Sequence, residues 1–185
     1  MARLPYVDPA TAPEHVRETL SKLPVSLNIF RMMAHAEQDF RPLIQLGTAI
    51  LGRQKLPAKL RELVILRVGR LSNAQYEWVQ HVPIALATGA TRAQIDALER
   101  DDLAASCFDP LERTTLRFAT EVVRDVRASE ATFKELERLV TPQEIVELIV
   151  TVGYYMLIAR LLETTAVDLD PPAGTKVIDA TRTRS

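Results

Sequence analysis

The chain is poor in cysteine, in net charge and in long apolar runs, and each shortage removes a class of protein. One cysteine, Cys107, stands among 185 residues. An intrachain disulfide framework and a cysteine–histidine metal cluster are therefore excluded. Cys107 lies in an ASCFDP segment that reads as a connection between helices, where a small apolar residue needs no further role. Lysine and arginine number 23 against 24 acidic residues, for a formal net charge of −1. That balance provides no basic field for nucleic acid and no cationic face for anionic lipid, so neither partner is expected. The opening MARLPYVDP lacks the apolar stretch of a signal peptide. The longest apolar run, Leu148 to Ala159, spans about 12 residues where a bilayer needs about 20. These features lead to the expectation of a cytoplasmic protein.

What is present is apolar and helical. Hydrophobic residues make up 47% of the chain, enough for the core of one domain. No segment alternates apolar and polar residues between turn signals, so the spacing predicts an all-α, single-domain bundle of about eight helices. Residues 1–26 read as an N-terminal arm and short helix, 27–167 as the helical domain, and 168–185 as a mobile, proline-interrupted tail. Thr11 and Glu14 suggest a capping box for a helix to about Leu20, and a second helix is expected over Leu27 to His35. Asp39 is expected to cap Arg41 to Leu51, with Gly52 as its stop. Further starts lie at Thr91 with Gln94, Asp109 with Glu112, Glu130, and Thr141 with Glu144. The last of these opens a helix to about Leu162, apolar enough to be buried in the core or against a second subunit.

The chemistry-bearing stretch is Leu56 to Gly89, which reads as two consecutive helices. Pro57 opens the first, and Ser72 or Asn73 caps the second, which Gly89 ends. The first is apolar almost all round, through Leu60, Leu63, Val64, Ile65, Leu66 and Val68, and Glu62 within it therefore needs a partner or a wet cavity. In the second, Glu77 and His81 stand four residues apart on one face, with Ala74, Ile84 and Thr88. If Glu62 faces that pair, two carboxylates and an imidazole meet in apolar surroundings that draw pKa values toward neutrality.

The order L-x-x-x-L-R-E-L-x-I-L-x-V, then N-x-x-Y-E-W-x-x-H, then A-x-x-x-G-A-T-x-x-Q-I resembles the carboxymuconolactone decarboxylase family, whose other branch is alkylhydroperoxidase D. That resemblance implies an alkylhydroperoxidase D-like bundle, a homo-oligomer such as a dimer, trimer or hexamer, and no cofactor. The peroxidase branch carries C-x-x-C-x-x-x-H on the second helix and a relay glutamate on the first. Aligned on His81, its cysteines fall at Ala74 and Glu77 and its glutamate at Glu62, so the chain keeps the acid and the imidazole without the thiols. Thiol-dependent peroxide reduction is therefore disfavoured. The resemblance implies a lyase-like enzyme of aromatic catabolism, acting on a small carboxylated lactone or related oxo-acid, with His81 as the acid–base group, Glu62 tuning it and Glu77 fixing its tautomer. Arg67 or Arg31 is a candidate to receive a substrate carboxylate, and Tyr76 and Trp78 are candidate substrate contacts. Each has a plainer alternative. Glu62 can pair with Arg61, Arg67 or Arg160, His81 can be a hydrogen-bonded core histidine, and Tyr76 and Trp78 can simply pack. Tyr154 and Tyr155 read as core residues whose hydroxyls can line a pocket. A metal held by Glu62, Glu77 and His81 lacks a second histidine and is not expected. A non-catalytic oligomeric binding protein remains the alternative to an enzyme.

Overall fold

The computed structural model describes residues 1–176 and Asp179. Among them the chain forms nine helices and no strand: α1 (Glu14–Ser21), α2 (Asn28–Met33), α3 (Glu37–Arg53), α4 (Ala58–Leu71), α5 (Gln75–Ala87), α6 (Arg92–Glu99), α7 (Pro110–Asp125), α8 (Glu130–Glu137) and α9 (Pro142–Thr165). The centre is α4. Every residue from Leu60 to Gly69 is buried, as its apolar circumference requires. Leu60, Val64, Ile65 and Val68 pack into a cluster with Phe118 of α7, Leu136 of α8 and Leu148 and Val152 of α9. Leu63 and Leu66 face the opposite way, into a cluster with Ala85, Ile95, Leu98 and Leu116. A third cluster joins α1, α2 and α3 to Tyr76 of α5 and to Ile158 and Leu162 of α9.

Among the described residues three of the four side-chain caps are marked in the sequence, the exception being Ser129 at the start of α8. Thr91, Asp109 and Thr141 each accept from the third residue of their helix, and Gln94, Glu112 and Glu144 return the bond. Other expected boundaries move for local reasons. The Thr11–Glu14 box does not form, because the Thr11 hydroxyl turns back to the Asp8 carbonyl, and α1 starts after Pro13. The third helix begins at Glu37, placing Asp39 in its first turn, and passes through Gly52 to Arg53. Neither Ser72 nor Asn73 caps α5. Asn73 takes a left-handed conformation (φ 53°), which lets the chain reverse in three residues, and Ala74 stands at the cap position. Gly89 does adopt the left-handed conformation expected at the end of α5 (φ 102°). Gly69 lies inside α4, where a Cβ would come within 3.3 Å of the Glu77 Cβ, so glycine permits the close approach of α4 and α5.

The segment from Asp168, expected to be mobile, is tied down over its described part. Asp168 accepts from the Tyr6 hydroxyl at 2.9 Å, and Asp170 accepts from the Asn28 amide at 2.7 Å. Gln80 donates to the carbonyls of Asp170 and Pro171 and accepts from the Ala173 amide. Proline-rich backbone that lacks helical bonding thus finds partners in side chains of α2 and α5. Residues 177, 178 and 180–185 of the expected tail lie outside the described residues.

Helix α9 is 24 residues long and, by length and composition alone, sufficient to cross a membrane. One side of it nevertheless belongs to the core, through Leu148, Val152, Tyr155, Ala159 and Leu162. The other side leaves Val146, Ile149, Val150 and Leu157 exposed at helical spacing. We expect a second copy of the chain to cover this stripe. Light scattering should give a mass above the 20.7 kDa of one chain, and Ile149→Glu with Leu157→Glu should lower it to that of a monomer with helical circular dichroism unchanged. A monomeric wild type would contradict this assignment.

A buried acid–histidine–acid unit at a small cavity

Glu62, on the α4 face toward α5, is fully buried. Its Oε2 lies 2.8 Å from Nδ1 of His81 and its Oε1 accepts from Nε of Arg61 at 3.3 Å. A carboxylate that accepts on both oxygens places the proton on Nδ1 of His81. The other ring nitrogen, Nε2, lies 3.4 Å from Oε2 of Glu77, one helical turn back on α5. The imidazole is thus bracketed by two carboxylates, and the edge of the Tyr155 ring packs against it at 5.0 Å and 90°. The roles implied by the family resemblance are exchanged. Glu62 stands at Nδ1, placed to set the tautomer, while Glu77 stands at Nε2.

Both titrating partners shift in the same direction. Burial pushes the Glu77 carboxyl up from 4.5 to about 7, with the Glu62 charge adding to the rise and His81 opposing it. For His81, burial works against the charged ring, but the hydrogen bond and charge of Glu62, helped by Glu77, prevail and raise its pKa. Between them a proton is held near neutral pH.

Glu77 and His81 line a cavity of about 150 Å³, whose other walls include Ile29, Met33, Tyr76, Ile84, Tyr154 and Ile158. Apolar cavities of roughly that size accept a single benzene-like ring. Tyr76 belongs to the wall, as expected, but its hydroxyl is committed to Asp170. Burial and that carboxylate raise its pKa, so it stays protonated. Tyr154 donates to the Leu43 carbonyl at 3.2 Å, whereas Tyr155 lines the cavity beside His81.

Two expected substrate contacts lie elsewhere. Arg67 is 2% exposed, donates to the Thr120 hydroxyl at 2.9 Å and pairs with Asp101. It braces α4 against α7 and the α6–α7 connection and does not reach the cavity. Trp78 packs half-buried with Val82 against the Leu63–Leu98 cluster on the far side of α5. The alternative cation, Arg31, donates to the Val7 carbonyl and lies over the Tyr6 ring. Gln80 and Asp170, which hold the cavity wall from outside, were not anticipated, because their pairing spans 90 residues and leaves no local pattern. Glu62, Glu77 and His81 spend on one another the atoms that would ligate a metal, and no metal-binding group of three appears among the described residues.

The native state binds protons at Glu77 and His81 more tightly than the unfolded chain does. The stabilisation this linkage gives is present at acidic pH and is lost as pH rises, for Glu77 between 4.5 and about 7. Thermal unfolding should therefore show wild type losing stability from pH 5 to pH 8, by about 1–3 kcal/mol. The Glu77→Gln, His81→Gln double variant should show a flatter profile. An equal pH slope in the two proteins would remove the linkage.

A profile of the Carboxymuconolactone decarboxylase family matches residues 40–121. No protein of curated description matches the sequence. Among solved structures, the fold is similar to an alkylhydroperoxidase AhpD core, peroxidase-related protein of Ralstonia eutropha JMP134, with 22% identity, 91% of this chain and 92% of that one covered, and a TM-score of 0.79. A peroxidase-related protein of Silicibacter sp. TM1040 is similar at 18% identity, 91% and 92% coverage and a TM-score of 0.76. So is a variant of the debrominase Bmp8 in complex with 2,3,4-tribromopyrrole, at 18% identity, 98% and 97% coverage and a TM-score of 0.75. The Glu62–His81–Glu77 unit thus lies within the residues that match the Carboxymuconolactone decarboxylase family model, on a fold shared with AhpD-like structures, in a chain whose single cysteine leaves no C-x-x-C pair.

Proposed function

We propose that the protein is a cofactor-independent acid–base enzyme, resembling the decarboxylase branch, that acts on a small carboxylated lactone or related oxo-acid. The observation that carries this reading is the imidazole of His81 held between two buried carboxylates, with Glu77 at the cavity and its pKa near 7. A group titrating near the working pH is both present in its acid form and able to release the proton, the condition for effective general acid catalysis. Glu62 keeps Nδ1 protonated and the ring oriented, so Nε2 and Glu77 handle the proton that reaches the substrate.

In such a reaction the bond to the departing carboxylate breaks and its electron pair moves into an adjacent carbonyl. The Glu77–His81 pair then delivers a proton to the carbon left behind and is recharged from water. The products are carbon dioxide and the protonated carbon acid, with no oxidant or reductant consumed.

A peroxidase reading needs a thiolate and a resolving partner. The single cysteine, Cys107, lies at the α6–α7 connection, where its Sγ donates to the Ala93 carbonyl, outside the cavity wall. Proton NMR of 4-carboxymuconolactone and related lactone acids should show turnover by wild type. His81→Gln should be slower by about 10²-fold or more, and the rate should fall as pH rises through about 7 as Glu77 ionises. Absence of turnover for every compound would favour a binding protein that retains the cavity.

A further inference from the structure

Of the residues lining the cavity Lys22 alone is a cation, and it belongs to the wall shared with the groove outside. Arg67 and Arg31 are engaged elsewhere, and the polar groups on its floor are Glu77 and His81, with Glu62 behind them. A second carboxylate on the substrate, one that does not react, would find no free cation there, because Arg61 behind the floor is taken up by Glu62. Directly beside the cavity, however, runs a wider groove of about 490 Å³ along α1 and α3. The two share Lys22, Leu23, Ile44 and Thr48 in their walls, so the groove is continuous with the cavity mouth. It is lined by Arg41, Arg53, Lys22 and Glu18 among charged residues, three cations against one acid.

The charges in the groove are unequally occupied. Lys22 and Glu18 pair at 3.4 Å. Arg41 and Arg53 form no ion pair and no hydrogen bond through their guanidinium groups among the described residues, and both are exposed. The side-chain amide of Gln45, one turn of α3 from Arg41, is likewise without a hydrogen-bond partner there and lines the same groove. Arg41, Ile44, Gln45 and Thr48 follow one another at helical spacing, so a single face of α3 runs from a planar cation to the cavity wall.

We propose that this groove is an anion subsite, and that the substrate is amphipathic: a small ring or chain enters the cavity first, while a non-reacting carboxylate or phosphate remains outside against Arg41 or Arg53. The proposal rests on the cavity's being the reaction site, and it adds orientation and substrate class to that reading. The apolar, carboxylate-bearing interior and the cations outside act in the same sense, one penalising the reversed pose by desolvating the anion and the other stabilising the productive one. Guanidinium suits either anion, since its planar fork matches the paired oxygens of both.

Binding separates this subsite from the chemistry. Calorimetric titration of the full chain with 4-phenylbutyrate and with 4-phenyl-1-butanol compares one ring with and without the anion. In low salt the acid should bind about two- to fivefold more tightly than the alcohol, the worth of one partly exposed charge contact. That advantage should vanish in the Arg41→Gln, Arg53→Gln double variant, whose affinity for the alcohol should be unchanged, and should shrink at high salt. Repeating the titration with phenyl phosphate and benzyl alcohol tests the phosphate arm in the same way. Equal affinity of acid and alcohol in wild type, or an advantage that survives the double substitution, would overturn the subsite while leaving His81 chemistry untouched. Failure of both probes to bind would remove the cavity as a ligand site, and the subsite with it. Retention of the pattern in His81→Gln, with no turnover of any lactone acid by wild type, would leave the subsite standing and the catalytic reading fallen.

Discussion

The bond between Glu62 and His81 is the constraint on which the rest of this molecule depends. A carboxylate with no solvent contact, on a helix buried around its whole circumference, is tolerated only while it is paired. Removing one member of such a pair typically costs about 3–5 kcal/mol, a large share of the stability of a domain this size. The pair therefore fixes more than the orientation of one imidazole. It sets the register of α4 against α5, and the glycine at position 69 brings the two helices close enough for Glu77 to follow one turn behind.

Around that bond the fold arranges two environments of opposite character. Toward α7 and the α6–α7 connection, Arg67 is neutralised by Asp101 and Thr120 and works as a brace. Toward α2, α3 and α9 the same helix pair opens onto a largely apolar cavity that Glu77 and His81 help to line. The segment from Asp168 to Ala173 closes the outside of that wall by holding Tyr76 and Gln80. The N-terminal arm is tied to the same segment through Tyr6 and Asp168, so both ends of the described chain brace the side of the bundle that holds the cavity.

Much of this was legible in the residues, for identifiable reasons. Capping boxes, proline starts and the apolar circumference of α4 are local patterns, and α4, α6, α7, α8 and α9 begin where those patterns place them. The meeting of Glu62 with His81 was also legible, because a short hairpin leaves the two helices little choice but to face each other. Arg67 was misread for the opposite reason. In sequence it is a spare charge five residues from Glu62, and its partners stand 34 and 53 residues away. The docked segment after Asp168 shows the same limit. Prolines and small polar residues give no helical period, and what orders them is a set of hydrogen bonds to side chains 90 or more residues distant. The exchange of roles between Glu62 and Glu77 depended on which imidazole nitrogen each carboxylate meets, a matter of rotamer rather than of spacing.

Glu62 is placed to hold the proton on Nδ1 of His81, leaving Nε2 to Glu77. Long-range proton–nitrogen correlation spectra of the 15N-labelled imidazole, recorded above neutral pH, report the neutral tautomer directly. Nδ1 should appear in its protonated form and Nε2 in its unprotonated form, and Glu62→Gln should abolish the preference. A neutral ring protonated on Nε2 in the wild type would contradict it.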